Sequence, residues 1–254
     1  MIPEPTPDAG NLADAAWNRR PRRTPVYDHD VSLSVIEAIT GTELAGLRTG
    51  DRSDREEFFR RYTRFFRDYG YDTVTFEALI SSVLPGNGAL YFDRPGSLKS
   101  RADFEAYPWQ ELADRFFERY SVDFELLAEH MPPGMKAVGG PGNGVFECVQ
   151  DIVGYDELCY IRADDPDLYS NLFTAMGDLF VDIWRRFLPR FGNAYAVCRF
   201  GDDLGFKSST LLPPDDIRGH LIPQYARVVS LVHEAGKPFL LHSCGNIFEI
   251  MDNL

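Results

Sequence analysis

The stretch Pro238-Phe239-Leu240-Leu241-His242-Ser243-Cys244-Gly245-Asn246 decides the fold, because it joins a strand to two side chains that can bind a metal. The apolar residues 239–241 predict a short buried strand, and Gly-Asn predicts a turn. In an extended chain, residues two positions apart point to the same side. We therefore expect His242 and Cys244 to reach one small ion together. Zinc is the ion that favours imidazole and thiolate ligands.

Upstream of this stretch, predicted strands alternate with predicted helices. Residues 24–29, 71–76, 136–140 and 194–200 predict four strands before the one at 239–241. Helices are predicted at 53–69, with Ser53 as its cap, at 103–117, 122–129, from 145, at 167–187, at 215–235 and over the last nine residues. Alternation of this kind is typical of parallel sheets built from βαβ units.

The number of strands limits the architecture. A TIM-type (β/α)8 barrel closes with eight parallel strands, and five are predicted here. We therefore expect an α/β fold of the TIM-type (β/α)8 class that is truncated after about five strands. Residues 1–23 are expected to be a loose N-terminal tail and residues 24–254 the barrel domain. Residues 84–96 predict a long loop rich in Gly and Pro.

Composition excludes several classes of protein. The 254 residues carry a net charge of -13, which argues against nucleic-acid binding because that needs a basic face. No apolar run approaches the roughly 20 residues of a membrane span. The N-terminus has no apolar signal-peptide core, and the four cysteines form no tight disulfide framework. We expect a cytoplasmic protein with small-molecule or protein partners and no membrane association.

Candidate functional residues follow the predicted strands, where parallel α/β folds build their sites. Asp202 and Asp203 are candidate catalytic residues, and a turn with a helix cap is the alternative interpretation. His29 is a candidate substrate-binding residue, with a satisfied polar pair alongside Asp28 as the alternative. Asn143 is a candidate of the same kind in a predicted turn. His242 and Cys244 are the candidate metal ligands, and a capped strand end with a buried thiol is the alternative.

Three segments carry a resemblance to a known family: Gly201-Asp202-Asp203-Leu204-Gly205, the Pro213-Pro214 helix start, and His242-Ser243-Cys244-Gly245-Asn246. Together they resemble the uroporphyrinogen decarboxylase superfamily, most closely its branch of cobalamin-dependent (corrinoid) methyltransferases. The resemblance implies a zinc ion held by His242, Cys244 and a later cysteine beyond Leu254. It also implies a thiol acceptor whose thiolate takes a methyl group from a corrinoid partner protein. Some relatives instead demethylate small methyl donors such as methoxylated aromatics.

The decarboxylase branch is the alternative that the resemblance leaves open. Decarboxylases of this family place a catalytic aspartate in a segment that aligns with Phe76-Glu77-Ala78-Leu79-Ile80, and Ala78 stands at its position here. Glu77 is adjacent but is expected to point to the other face of the strand. Methyl transfer is therefore the predicted function. A lyase of the porphyrin pathway and a non-catalytic binding module are the alternatives.

Overall fold

Four parallel strands form one sheet in the computed structural model, which describes residues 6–92 and 94–254. The strands lie side by side in chain order, and neighbouring strands pair in parallel. They are β1 (Thr73–Leu79), β2 (Lys136–Gly142), β3 (Tyr195–Gly201) and β4 (Phe239–His242). All four carboxyl ends therefore meet at one edge, where a site is expected in folds of this class.

Helices connect the strands, as the alternating sequence pattern predicts. They are α1 (Ala9–Ala16), α2 (Leu33–Thr40), α3 (Ala45–Arg48), α4 (Arg52–Asp68), α5 (Arg101–Ala106), α6 (Leu112–Glu129), α7 (Val145–Val153), α8 (Tyr155–Asp164), α9 (Pro166–Phe191), α10 (Pro214–Asp216) and α11 (Ile222–Glu234). A π-helical turn, Ile217–Leu221, joins the last two helices. The mixed α/β architecture is confirmed. The described residues contain four strands rather than five, and no closed barrel is seen among them.

The predicted first strand, 24–29, is wrong. This segment has no regular secondary structure and lies beside the start of β1, where the Asp72 backbone N–H donates to the Val26 carbonyl (3.3 Å). The backbone N–H of Val26 donates to the buried Asp72 carboxylate (3.1 Å), and the Thr75 hydroxyl donates to the Asp28 carbonyl (2.6 Å). Because side chains take part in most of these bonds, the segment follows the sheet without forming a ladder with it.

The part of the tail that the structure describes is also not loose. Helix α1 begins at the cap residue Asp8 and packs under the sheet, where Leu12 is buried against Val138 and Val197. Arg23 donates to the Asp72 carboxylate (2.8 Å) and ties the end of this segment to the start of β1. Residues 6–23 therefore belong to the folded unit, and residues 1–5 lie outside the described residues.

Several helix boundaries differ from the predictions. Helix α4 is capped by Asp51 rather than Ser53, and a reciprocal bond with Asp54 completes a capping box. The two helices predicted at 103–117 and 122–129 are instead α5 and the longer α6. Helix α9 continues to Phe191, and the last nine residues contain a 3-10 helix, Phe248–Asn253, in place of an α-helix.

Aromatic packing between the sheet and its helices forms the main core. The stripe predicted on α4 is buried, and it comprises Phe58, Phe59, Tyr62, Phe65 and Phe66. Residues of β1 with even numbers, such as Phe76 and Ala78, face this helical layer, and odd-numbered ones face the opposite side. Among the described residues, no helix combines the length and the apolar character needed to cross a membrane.

Candidate metal and substrate site

A pocket of about 720 Å³ opens at the carboxyl edge of the sheet. Each strand and the loop that follows it contributes to its wall. These contributions are Glu77 and Leu79 from β1, Asn143 after β2, Arg199, Gly201 and Asp203 from β3 and its loop, and His242 and Cys244 from β4 and its loop. The pocket therefore lies where strand topology alone would place a site.

Three potential metal ligands meet at the rim of this pocket: Asp203, His242 and Cys244. The Nε2 atom of His242 lies 3.3 Å from the Cys244 sulfur and 3.6 Å from Oδ1 of Asp203. Ligands of one tetrahedral zinc ion stand roughly 3.4–3.6 Å apart at ordinary zinc–ligand distances. The two separations measured from His242 are close to those of zinc ligands, and all three ligand atoms lie within 4.8 Å of one another.

The Cys244 thiol is held protonated by its surroundings. The Asp203 carboxylate, which pairs with this thiol, raises the pKa of Cys244 above its ordinary value, and burial adds to the rise. The same carboxylate accepts a hydrogen bond from the Cys244 backbone N–H (2.8 Å). A cation bound among these atoms would reverse the effect on the thiol, because a metal favours the thiolate.

Asp202, a candidate catalytic residue with a helix cap as the alternative, does not line the pocket. Its carboxylate is completely buried and accepts the backbone N–H groups of Phe146 and Glu147 (2.9 Å each) at the start of α7. The Tyr225 hydroxyl donates a third hydrogen bond. Burial, followed by the nearby Glu147 carboxylate, raises the pKa of Asp202 to about 7. Because it accepts three hydrogen bonds, two of them from α7, this carboxylate acts as the N-terminal cap of α7 although it lies in the loop after β3.

Gly144 permits this arrangement. It is the N-cap residue of α7 and provides no side-chain cap of its own. A Cβ atom at this position would fall 1.9 Å from Cγ of Asp202. The helix therefore receives its cap from the loop after β3, and this bond joins two walls of the pocket.

Asn143 lines the pocket with a left-handed backbone (φ 64°). Its side-chain oxygen accepts the Ser81 hydroxyl (2.8 Å), and its amide group donates to Tyr91 (3.0 Å) and Glu147 (3.2 Å). Burial is the main cause that raises the pKa of Glu147, whose other oxygen faces the Asp203 backbone N–H (3.4 Å). Asn143 thus fixes the pocket wall next to the three potential ligands.

Glu77 and Arg199 are among the charged residues of the pocket that sequence reasoning did not assign to the site. The Arg199 side chain is only 3% exposed, and its Nη2 atom lies 2.7 Å from Oε2 of Glu77. Burial raises the pKa of Glu77 to about 8, and the carboxylates of Glu147 and Asp30 add to it, whereas the Arg199 guanidinium favours the ionised form. Glu77 does point away from the face of Ala78, as expected, but that other face is the pocket. A charge within an otherwise apolar strand was the signal that could have found both residues.

His29 reaches the pocket from the irregular segment beside β1. Its ring contacts the Arg199 guanidinium and stacks on the ring of His242, with 4.1 Å between ring centroids and 26° between planes. The residue predicted to bind substrate therefore lies against a candidate metal ligand, and the side chain of Arg199 connects it to Glu77.

No protein-family model matches the chain, and no curated protein matches it. Among solved structures, the chain is similar to a methyltransferase from Methanosarcina mazei. The TM-score is 0.66, and the similarity covers 98% of this chain and 73% of the other. The fold resembles that of a methyltransferase. At 14% identity this likeness concerns the fold, so the chemistry has to be argued from the pocket itself.

Proposed function

We propose that this protein is a zinc-dependent methyltransferase of the uroporphyrinogen decarboxylase-like type, which moves a methyl group between a corrinoid protein and a small acceptor or donor. The observation that carries the proposal is the cluster of Asp203, His242 and Cys244 at the carboxyl edge of the sheet. Fold similarity to a methyltransferase and the sequence resemblance support it.

Zinc bound to this cluster would act as a Lewis acid that holds a thiol substrate as its thiolate, the nucleophilic form. His242 and Cys244 supply nitrogen and sulfur ligands, and Asp203 supplies oxygen. Three protein ligands leave a position for the substrate, as in catalytic zinc sites generally. Among the described residues, Asp203 takes the place of the third ligand, which the resemblance assigns to a later cysteine.

The rest of the pocket would orient the substrate while its sulfur is held at the rim. Asn143 and Glu147 fix one wall through their mutual hydrogen bond. Arg199 and Glu77 are paired charged residues that line the pocket, and they would offer the substrate a hydrogen-bond donor and an acceptor. The substrate that accepts the methyl group therefore needs a thiol at one end and a polar group at the other.

Zinc content and methyl transfer test the proposal together. The protein is expected to bind one zinc ion and to methylate a small thiol from a panel when free methylcobalamin is the methyl donor. His242→Ala and Cys244→Ser are expected to lose both properties. Cys159→Ser is the matched control, because Cys159 is exposed on α8 and does not line the pocket. Full zinc binding in Cys244→Ser would refute the proposed site.

A decarboxylase is the second candidate, and the placement of Glu77 favours it. Although Ala78 faces the helical layer, Glu77 lies in the pocket with its pKa raised to about 8, so it is an acid that can hold a proton near neutral pH. Arg199 beside it could bind a substrate carboxylate. Formation of coproporphyrinogen from uroporphyrinogen, lost in Glu77→Gln, would support this candidate against methyl transfer.

A further inference from the structure

We propose that His29 is a positioning residue for the metal ligand His242, and that Arg199 and Glu77 hold His29 in place. The inference rests on the proposed zinc site, because His242 is assigned there as a ligand. It changes the role of His29, which was expected to contact substrate. It also assigns a role to the buried charges of Glu77 and Arg199.

The ring of His242 is covered on one face. The His29 ring stacks on that face with 4.1 Å between ring centroids and 26° between planes. Gly201, which pairs with His242 in the sheet, has no side chain to contact the ring. The stacking contact therefore restricts rotation about the Cβ–Cγ bond of His242.

Rotation about that bond decides whether Nε2 faces the other ligands. In the structure it does, at 3.3 Å from the Cys244 sulfur and 3.6 Å from Oδ1 of Asp203. Histidine ligands are usually fixed by a hydrogen bond from their second ring nitrogen. In the part of the chain that the structure describes, Nδ1 of His242 makes no such bond to protein. Stacking by His29 is the contact that supplies this orientation.

His29 needs support because it lies on an irregular segment. The Asp28 carbonyl next to it is held by the Thr75 hydroxyl (2.6 Å), and its ring is held by the Arg199 guanidinium. A guanidinium has donors only, so the His29 ring nitrogen that faces it takes the acceptor role in this contact.

Arg199 is in turn held by Glu77, with 2.7 Å between Nη2 and Oε2. Either the acid or its anion can accept this bond, and so can a glutamine amide oxygen. Glu77 on β1 and Arg199 on β3, two strands separated by β2, therefore hold His29 in place and, through its ring, His242. No movement of the strands is required.

Zinc affinity measured against a competing chelator, with Zn²⁺ alone as the ligand, tests this role. His29→Ala is expected to weaken zinc binding by about tenfold or more, the usual effect of losing a residue that orients a ligand. His29→Phe keeps a flat ring for stacking but loses the ring nitrogen that faces Arg199, so it is expected to weaken zinc binding several-fold and clearly less than His29→Ala. The visible spectrum of the Co²⁺-substituted protein is expected to change in His29→Ala and to be preserved in His29→Phe.

Two further comparisons complete the experiment. Glu77→Gln keeps the acceptor and is expected to bind zinc as wild type, whereas Glu77→Ala is expected to weaken binding several-fold. The control is His220→Ala, because His220 also stacks on an aromatic ring, Phe173, but lies outside the pocket. If His29→Ala fails to fold, the two Glu77 variants carry the test.

The outcomes separate this inference from the proposed function. Wild-type zinc affinity and an unchanged Co²⁺ spectrum in His29→Ala, with zinc lost in Cys244→Ser, would overturn the positioning role and leave the zinc site standing. Equal losses in His29→Phe and His29→Ala would also overturn it, because stacking would then not be the interaction that matters. A wild-type protein that binds no zinc would remove both.

Discussion

The adjacent residues Asp202 and Asp203 are expected to differ strongly in how much stability their substitution costs. Asp202→Ala removes the acceptor for two backbone N–H groups at the start of α7 and for the Tyr225 hydroxyl, all at a completely buried position. Each buried donor left without a partner costs about 1–3 kcal/mol. Loss of the carboxylate also removes its own desolvation cost, so a net loss of about 3 kcal/mol in the free energy of unfolding is expected.

The matched variant is Asp203→Ala. Asp203 is 42% exposed, and its main bond is to the Cys244 backbone N–H, so its replacement is expected to cost less than about 1 kcal/mol. Urea unfolding followed by circular dichroism measures both variants, and zinc affinity is measured in parallel. Asp202→Asn keeps one acceptor oxygen and serves if Asp202→Ala is insoluble. Equal stability of the Asp202 and Asp203 variants would refute the interpretation of Asp202 as a helix cap.

Three further predictions follow from the pocket and from the packing under the sheet. The pKa of Glu77 is raised to about 8 from an ordinary 4.5, so the native state binds more protons between these values than the unfolded chain. The contribution of Glu77 to the free energy of unfolding is therefore expected to fall as the pH rises from 4.5 to 8, by at most about 5 kcal/mol because the Arg199 guanidinium favours the ionised form, and urea titrations of Glu77→Gln are expected to show a flatter dependence. Leu12→Ala is expected to cost about 2 kcal/mol by urea unfolding, because this side chain is buried under the sheet; a loss below about 0.5 kcal/mol would show that α1 is not docked. Asp203→Asn is expected to speed alkylation of Cys244 at pH 8, since the Asp203 carboxylate raises the pKa of that thiol, and an unchanged rate would contradict this cause.

The sequence was sufficient to locate the elements that carry the site. Four of the five predicted strands are present within a few residues, because their apolar and β-branched runs are bounded by turn residues. The side chains of His242 and Cys244 meet as predicted from extended-chain geometry. Both results depend on local backbone geometry, which the residue pattern of a single sequence is enough to predict.

Non-local contacts could not be predicted in the same way. Residues 24–29 have the composition of a strand, yet the Asp72 carboxylate occupies the Val26 N–H that a ladder would need. Asp202 and Asp203 look equivalent in sequence, and only the position of α7 makes one a cap and the other a pocket residue. Glu77 was placed on the correct side of its strand, but which side faces the pocket depends on how the helices pack.

The stacked rings of His29 and His242 also bear on the order of folding. They come from opposite ends of the described chain, and contacts between such distant residues form only after a large loss of chain entropy. The βαβ units between them depend on closer contacts and are expected to assemble earlier. Metal affinity at the rim would then increase only when the last long-range contact forms, so zinc binding during refolding is expected to report completion of the native structure.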